Sequence, residues 1–485
     1  MKSFIKRFLP EIIINQYHKI LARLSAFVYQ NPSEEMIVIG VTGTNGKSTA
    51  VCLIAKALEA AGFKVGATST VLFKVAEREW LNDKKMTMLG RFQLQKLMRQ
   101  MVRAGCRYAV IETSSQGIEQ YRHLGINYDY VVFTNLTPEH IEAHGGFENY
   151  KKAKGKLFEH LTRKRRKNIQ GLEHDDLPLI PSLLKRGGRD EARSDLPPTP
   201  SLVRRGSQTQ KVSVVNVDDE HAEYFLRFNA DKKIKFAINN VNADFVGRNV
   251  SVSAAGTSFS VNSNKVNLKL IGAFNVYNAL PAIAIGLSEG LTFEQVKYGL
   301  ENVKGVPGRM EIIDEGQPFT VIVDYAPEPA GMGMLYNAVV ALRPFENLRV
   351  TSQGDNLGRI IHVLGSCGGG RDKARRPILG QMAGEKADVV IVTNEDPYDE
   401  DPMEIINAVA AGAIQAGKEE NKNLFKILDR KEAIKKAIDL ASAGDLVLVT
   451  GKGAEQAMAV SGGKYIPWDD RKIIREALDK DNNMT

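Results

Sequence analysis

The chain has 485 residues, of which 43% are hydrophobic and 25% charged, and a formal net charge of +8. This composition is typical of a globular protein of roughly two to four domains. The three cysteines, Cys52, Cys106 and Cys367, lie far apart without CxxC or CxxH spacing, which argues against a disulfide framework or structural zinc and favours a reducing cytoplasm. No apolar run approaches the roughly 20 residues of a membrane span, and no signal peptide is recognisable.

The first 30 residues predict an amphipathic helix with a basic edge. Apolar residues recur at helical spacing, and five Lys and Arg residues stand against the single acid Glu11. Such a stripe is typical of a helix that packs on a neighbouring domain, which is the interpretation we favour. Peripheral contact of residues 1–30 with an anionic membrane surface is the alternative. The stripe consists of Phe4, Ile5, Phe8, Leu9, Ile12, Ile13, Tyr17, Ile20, Leu21, Leu24 and Phe27.

The stretch GVTGTNGKST at 40–49 joins a predicted strand to a predicted helix. In such a turn the backbone N–H groups and the helix N-terminus hold phosphate, a lysine bridges phosphates, and a hydroxyl reaches Mg²⁺. The strict pattern GxxxxGK[ST] fails, because Val41 stands where its first glycine would be. We interpret the stretch as an ATP-binding loop; a glycine-rich turn with an accidental Lys-Ser is the alternative.

Strand-like and helix-like runs alternate on both sides of this loop. CRYAVIETSS and YDYVVFTNL predict further strands, and the alternation indicates a parallel sheet with helices on both faces. Short alternating runs between about 212 and 270 predict antiparallel strands added to that sheet. A second series begins beyond Arg309 with FTVIVDYA, RIIHVLGS, ADVVIVTN and DLVLVTG. Two α/β domains are therefore expected, joined near VPGRME.

The basic charge is concentrated in residues 163–211. This segment holds twelve Lys and Arg against six Asp and Glu, an excess of +6 that leaves only +2 for the rest of the chain. It contains two similar stretches, LPLIPSLLKRGG and LPPTPSLVRRGS, and no sustained periodicity. We interpret it as an inserted, mostly disordered loop, with a basic partner-binding loop as the alternative. No nucleic-acid partner is expected for the protein as a whole.

The spacing GxxGTNGK[ST] resembles the phosphate loop of the Mur ligase superfamily. ETSSQGIEQYRH, FTNLTPEHIEAHGGFENYKKAKGKLF, GVPGRME, VDYAPEP, GGGRDKARRP and TGKGAEQAM follow in the order seen in UDP-N-acetylmuramyl-tripeptide synthetases. The resemblance runs from about 37 to 475. It implies an N-terminal helix in 1–36, a central P-loop-type ATPase domain with a mostly parallel sheet over 37–308, and a C-terminal Rossmann-like α/β domain over 309–485. Only 36 residues precede the first strand, so the N-terminal domain that binds UDP in this family is expected to be missing.

The resemblance implies an ATP-dependent ligase of peptidoglycan biosynthesis, and thus of cell-wall biogenesis, cell shape and cell division. ATP phosphorylates the terminal carboxylate of a muramyl peptide, and an amino acid attacks the acyl phosphate to give an amide, ADP and phosphate. A cytoplasmic monomer that uses ATP and Mg²⁺ is implied.

The family's nucleotide, metal and catalytic residues can be transferred position by position. Ser48, Glu112 and His140 match the magnesium-binding residues, and Lys47 the catalytic lysine of the loop. Lys154 matches the family's carbamylated lysine, which would act as a carboxylate beside the metal; a surface lysine is the alternative. Pro327 replaces the usual histidine of VDYAPEP, so one nucleotide contact is expected to be lost. The implied ATP-binding residues are Gly43, Thr44, Asn45, Gly46, Lys47, Ser48, Thr49, Asn278, Arg309 and Asp324.

The acceptor and amino-acid sites show departures from the family pattern. Met88 replaces the second threonine of a pair, and Gln116 the usual histidine. In TNEDPYDEDP, Tyr398 stands where diaminopimelate-adding enzymes have an arginine, and an acidic pocket without arginine favours a lysine-like ammonium. Acids that merely cap a loop are the alternative. The implied substrate residues are Thr87, Ser114, Ser115, Gln120 and Arg122 for the muramyl peptide, and Glu395, Asp396, Tyr398, Lys452 and Glu455 for the amino acid.

Two other functions remain open from the sequence. One is a related ligase with another acceptor, namely a folylpolyglutamate-like, cyanophycin-like or lipid-linked precursor enzyme. The other is a non-catalytic, nucleotide-binding Mur-like subunit, which Pro327 and the expected missing domain would suit.

Overall fold

The computed structural model of the chain describes residues 11–139, 141–169, 208–341 and 358–482. His140 and the body of the predicted insert, 170–207, lie outside the described residues. A first helix, α1 (Glu11–Val28), precedes two α/β units, each built on its own sheet. None of the helices in the described ranges is long and apolar enough to cross a membrane.

The first unit is a mostly parallel sheet between helices. In the described part its sheet has the strand order β4-β3-β2-β5-β1-β6-β7-β8-β9. Its antiparallel pairings are β2 with β3 and β3 with β4, at one edge. Central strands such as IVIGVT are apolar and buried along their whole length, as strands covered on both faces must be. The strands are β1 (Ile37–Thr42), β2 (Val65–Thr68), β3 (Leu72–Val75), β4 (Arg78–Leu81), β5 (Tyr108–Glu112), β6 (Tyr130–Phe133), β7 (Val212–Asn216), β8 (Lys232–Ala237) and β9 (Phe245–Val246).

Helices cover both faces of this sheet and form two separate cores. One core lies under α2, α8 and α9, and the other under α3, α6 and α7. The helices are α2 (Lys47–Ala60), α3 (Arg91–Arg103), α4 (Ser115–Glu119), α5 (Ile141–His144), α6 (Phe147–Arg163), α7 (Ala222–Leu226), α8 (Phe274–Ser288) and α9 (Phe293–Glu301).

The prediction of antiparallel strands over 212–270 is wrong for its first part. β7, β8 and β9 continue the parallel sheet, because α7 crosses over between β7 and β8. Only β10 (Arg248–Ser253), β11 (Gly256–Val261) and β12 (Asn264–Leu268) pair antiparallel, and they form a separate small sheet. Sequence alternation reports how many faces of a strand are buried and not the direction of its neighbour.

The second unit is the expected Rossmann-like α/β arrangement. Its strand order is β13-β14-β18-β15-β16-β17, parallel except for the edge strand β13, and a separate hairpin joins β19 to β20. The α/β fold class with mostly parallel sheets is thus confirmed. The elements are β13 (Glu311–Ile313), β14 (Thr320–Asp324), α10 (Pro329–Ala341), β15 (Ile360–Leu364), α11 (Arg375–Lys386), β16 (Val389–Thr393), α12 (Pro402–Gln415), β17 (Leu424–Ile427), α13 (Arg430–Leu440), β18 (Leu446–Thr450), β19 (Ala457–Val460), β20 (Lys464–Pro467) and α14 (Asp470–Asn482).

The ends of the basic segment 163–211 belong to the folded core, contrary to its interpretation as one inserted loop. Lys167 and Lys211 are buried, and their ammonium groups lie 2.5 and 3.2 Å from the carboxylate of Asp129. Lys167 and Thr209 also bond to each other, with the Thr209 amide donating to the Lys167 carbonyl at 2.8 Å. The inserted part is therefore confined to residues between these anchors.

Candidate active site

A cleft of about 300 Å³ lies where the two units face each other. The first unit contributes the glycine-rich loop after β1, and the second contributes the ends of β14 and neighbouring loops. Ligands of open α/β sheets bind at the carboxyl ends of parallel strands, and both sheets present those ends to this cleft. The cleft is therefore the candidate active site.

The glycine-rich loop has a backbone that requires glycine. Gly43 has φ 149° and Gly46 has φ 79°, both unfavourable for other residues. A Cβ atom on Gly43 would lie 1.9 Å from Thr134 Oγ1, and one on Gly46 would lie 2.1 Å from Asn278 Oδ1. Lys47 opens α2, and its ammonium donates to the Thr44 carbonyl at 2.6 Å. The loop thus places a helix N-terminus and a cation at the cleft, as phosphate binding requires.

Ser48 and Glu112 form a hydroxyl–carboxylate pair beside this loop. The register of β1 against β5 sets Val41 opposite Glu112, which brings the end of β5 to the loop. Glu112 is only 1% exposed and accepts hydrogen bonds at 2.8 Å from Ser48 Oγ and from the Thr70 amide. Hydroxyl and carboxylate oxygens are the ligands that Mg²⁺ prefers, so this donor set fits the ion. His140, the third expected ligand, lies outside the described residues.

Lys154 is a buried amine directed at the phosphate loop. Its side chain is 1% exposed, and Nζ donates to the Gly43 carbonyl at 2.7 Å and lies 4.3 Å from the centre of the Tyr150 ring. Burial, helped by the positive charge of Lys47, holds the pKa of Lys154 well below its usual range. Its burial excludes the surface-lysine alternative.

The second unit and α8 contribute the other expected nucleotide residues. Asp324, at the end of β14, accepts from the Met310 and Ala326 amides at 2.7 and 2.8 Å, and burial raises its pKa. Arg309 lies 4.4 Å from the centre of the Tyr325 ring, and its Nη2 donates to Ser48 Oγ at 3.4 Å. These residues, Asn278 and the variant Pro327 all line the cleft.

Most of the expected muramyl-peptide residues form another part of the cleft wall. Ser114 caps α4 by accepting from the Gly117 amide at 3.2 Å, and Ser115 Oγ lies 3.0 Å from His144 Nε2. Arg122 donates to Gln120 Oε1 at 2.7 Å, and burial together with nearby Arg91 lowers the pKa of Arg122 to about 10. The cleft is lined by Thr87, Ser114, Ser115 and Arg122, whereas Gln120 reaches it through Arg122.

The expected amino-acid pocket is less acidic than its sequence suggests. Lys452 Nζ lies 3.0 Å from Asp396 and 2.5 Å from Glu455, and Lys85 of the first unit lies 2.5 and 3.3 Å from the same two carboxylates. Although burial opposes charge at Lys452, Glu455 and Asp396 raise its pKa. Two carboxylates are therefore balanced by two ammonium groups.

The other acids of that motif have separate surroundings. Asp399 is exposed and accepts from Ser461 Oγ at 3.1 Å and the Gly462 amide at 2.8 Å, so it caps a loop. Glu395 is buried, accepts from Cys367 Sγ at 2.8 Å, and has its pKa raised by burial and by Asp396. Tyr398 adopts φ 53° and packs over Gly369. The acids of the motif thus have three different roles, and the preference for a lysine-like ammonium stays a prediction.

Sequence reasoning missed four residues of the site. Thr70 donates to Glu112, Tyr150 lies 3.1 Å from Thr44 through its hydroxyl, and Glu328 accepts from Asn45 Nδ2 at 2.8 Å. Lys85 connects the two units. Glu328 lies inside the quoted motif VDYAPEP and Tyr150 inside the motif that contains Lys154, so both could have been found; Lys85 has no local signal.

Comparisons with known proteins show the family of the chain. The model of the Mur ligase middle domain matches residues 41–177 and 201–286, and that of the Mur ligase glutamate ligase domain matches 308–453. The UDP-N-acetylmuramyl-tripeptide synthetase of Roseiflexus sp. (strain RS-1) is 36% identical over 477 residues, 97% of this chain and 84% of that protein. The UDP-N-acetylmuramoyl-L-alanyl-D-glutamate–2,6-diaminopimelate ligase of Geobacillus kaustophilus (strain HTA426) is 33% identical with the same coverage.

Solved structures show the same fold. A UDP-N-acetylmuramoyl-L-alanyl-D-glutamate–2,6-diaminopimelate ligase has a TM-score of 0.57 and 25% identity, covering 96% of this chain and 83% of that one. The Mycobacterium tuberculosis folylpolyglutamate synthase has a TM-score of 0.61, covering 89% and 92%, but only 17% identity, so it shares the fold alone. The chain therefore belongs to the Mur ligase family and is an ATP-dependent ligase.

Proposed function

We propose that this ligase joins an amino acid to the terminal carboxylate of a muramyl peptide through an acyl phosphate, in peptidoglycan synthesis. The observation that carries the proposal is that the phosphate loop and the muramyl-peptide wall line one cleft, and that Lys85, which also lines it, pairs at 3.3 Å with Glu455 of the Lys452–Glu455 cluster behind it. An acyl phosphate must form at one end of such a cleft and be attacked from the other. The relatives named above are called ligases of this kind.

The phosphate end would hold and polarise the transferred group. ATP supplies the phosphoryl group, and Mg²⁺ offsets negative charge as that group moves between anions. Lys47 would place its ammonium on the phosphates when released from the Thr44 carbonyl, and Ser48 and Glu112 would hold the ion. Arg309, already within 3.4 Å of Ser48, adds a second fixed cation to this end.

We propose that Lys154 carries a carbamate in the working enzyme. Its neutral Nζ would attack the carbon of CO₂, forming an N–C bond as one C=O π bond breaks, and the amine proton would pass to water. The product is an anion on a side chain directed at the phosphate loop, where it can support the Mg²⁺ ligands. The observation behind this proposal is the burial of Lys154 without a carboxylate partner among its described hydrogen bonds.

The opposite end would receive the amino acid. Lys452 and Glu455 would hold its backbone carboxylate and amine, and Glu395, Asp396 and Tyr398 would face its side chain. Because Lys85 and Lys452 balance Asp396 and Glu455, the selectivity of the pocket depends on how far Lys85 moves when the amino acid enters. We infer a monomer with domains over 37–308 and 309–485, since both units of one chain complete the cleft. We also infer that it works in the cytoplasm.

An assay of ADP release tests this function. The purified chain is given ATP, Mg²⁺ and UDP-linked muramyl dipeptide, with lysine, with diaminopimelate or with neither. The proposal expects ADP release that requires both the acceptor and one amino acid. Activity only with a folate acceptor and glutamate would move the chain to the folylpolyglutamate type, and ADP release independent of any amino acid would support a nucleotide-binding subunit instead.

A further inference from the structure

Helix α1 packs on the first unit through its small residues and leaves its large apolar residues outside. Ala22, Ser25 and Ala26 are buried, and Ala22 and Ala26 contact the turn at Gly125. The prediction that the apolar stripe itself packs on the domain is therefore wrong for its described members except the half-buried Leu21, and Phe4, Ile5, Phe8 and Leu9 lie outside the described residues. The helix can approach the turn at Gly125 closely only through small side chains. These side chains, Ala22, Ser25 and Ala26, lie on one face of α1.

The outward apolar face of α1 is continuous along the helix. Ile20 is 63% and Phe27 74% exposed, which is far above what a packed helix leaves to solvent. Apart from the adjacent pairs Ile12–Ile13 and Phe27–Val28, successive members are three or four residues apart, which places them on one side of a helix with 3.6 residues per turn. They are Ile12, Ile13, Tyr17, Ile20, Leu24, Phe27 and Val28, and we refer to them as the outer face.

Cations lie along one edge of the outer face. Lys19 and Arg23 are one turn apart, and Arg23 precedes Phe27 by four residues. Lys164 follows the last residue of α6 and lies near α1. Burial lowers the pKa of Lys164, and the positive charge of Arg23 lowers it further. The ten residues before α1 contain Lys2, Lys6 and Arg7 and no acid, so the charge of the adjoining sequence has the same sign.

We propose that the outer face of α1 binds the surface of an anionic lipid bilayer. An exposed apolar side flanked by cations on a helix that lies flat against a folded domain matches the pattern of an interfacial helix, which enters the headgroup region by its apolar face. The cations select anionic lipid, because negative surface potential attracts Lys and Arg near the headgroups. Pairing with a second copy would bring Arg23 and Lys19 of both copies together, which disfavours that occupant.

The binding experiment uses the full chain and vesicles of phosphatidylcholine, with or without phosphatidylglycerol, at low and moderate salt. We expect co-sedimentation with the anionic vesicles that weakens as salt rises. The double variant Ile20→Asp with Phe27→Asp should reduce the bound fraction at least tenfold, whereas Arg23→Glu should reduce it about fivefold. The matched control, Val241→Asp with Tyr298→Asp, changes side chains that are 62% and 63% exposed elsewhere and should bind as the parent does.

Three results would overturn the proposal. The parent chain could stay in solution at both salts, the α1 variant could bind as well as the parent, or light scattering could show a dimer that the α1 variant abolishes while vesicle binding is absent. Circular dichroism and ATP-dependent ligase activity report whether each variant is folded. Because the substituted side chains are exposed and do not line the cleft, activity distinguishes failure of this proposal from failure of the proposed reaction.

Discussion

The phosphate end and the amino-acid end of the cleft are both rich in charge, but they are stabilised differently. At the phosphate end, Ser48 at the start of α2 and Thr70 between β2 and β3 donate to Glu112 at the end of β5, and Lys47 donates to the Thr44 carbonyl of its own loop. At the amino-acid end, Asp396 and Glu455 are balanced by Lys452 of the same unit and Lys85 of the other. The first end is held mainly within the first unit, with single bonds to Arg309 and Glu328 of the second, whereas the charges of the second end are balanced by ion pairs between the units.

This difference has a physical consequence for each end. The bonds among Ser48, Thr70 and Glu112 keep their geometry whether or not the units move, because all three residues belong to the first unit. Ion pairs between units depend on the distance between them, and a charge left unpaired in a buried place is costly. Substitutions at the phosphate end should therefore affect catalysis, whereas substitutions at the amino-acid end should affect selectivity.

The largest effect is expected from Lys47→Ala. Removing this cation takes away charge that stabilises the phosphoryl group in transfer, so ADP release should fall on the order of 10³-fold. The fold should be retained, because the hydrogen bond of the Lys47 side chain among the described residues is to the Thr44 carbonyl of its own loop. Lys56→Ala, on the same helix but in surface pairs with Glu59 and Glu79, is the control and should stay active. Near-parent turnover of Lys47→Ala would contradict the assigned role.

Lys154→Ala should reduce turnover nearly as far, at least roughly 100-fold, because it removes the group proposed to carry the anion beside the metal. Lys154→Glu supplies a carboxylate directly and should recover part of the rate. Added bicarbonate should stimulate the parent chain after CO₂ has been depleted. Lys152→Ala, an exposed lysine on the same helix, serves as the matched variant. If Lys154→Glu is no better than Lys154→Ala while both are folded, the carbamate is not the working form.

Lys85→Met should leave ATP use unchanged and alter the choice of amino acid. Loss of this ammonium makes the pocket around Asp396 and Glu455 more negative, so an amino acid with a distal ammonium should gain over one with a distal carboxylate. We expect the preference for lysine over diaminopimelate to rise about tenfold, which corresponds to a free-energy difference of about 1.4 kcal/mol. The ratio of kcat/KM for the two amino acids measures it, and Lys84→Met, in a surface pair with Asp83, is the control. An unchanged ratio would show that Lys85 only joins the units.

The parts that sequence could predict are those written in contiguous stretches. The glycine loop, Glu112 at the end of an apolar strand and Lys154 in its motif all reach the cleft because neighbouring residues fix their positions. The balance of charge at Asp396 could not be predicted, since Lys85 lies 311 positions away along the chain. The side of α1 that packs on the domain could not be predicted either. Both the apolar stripe and the small-residue face could pack there, and the close approach of α1 to Gly125 requires the small residues.

The smallest effect is expected from a change far from both ends of the cleft, deletion of residues 170–207 with a short glycine link. Lys167 and Thr209 already bond to each other and to Asp129, so the cut ends are held together by the fold. Turnover should stay within about twofold of the parent, because shortening the connection between two anchored residues changes the loop-closure free energy only slightly. Cutting further, to remove Lys167 and Lys211, should instead destabilise the chain, since it leaves the buried Asp129 carboxylate without its cations, a loss of about 3 kcal/mol or more. Thermal unfolding of the two deletions, read beside their ADP release, separates the insert from its anchors; an inactive but folded short deletion would show that the insert takes part in the reaction.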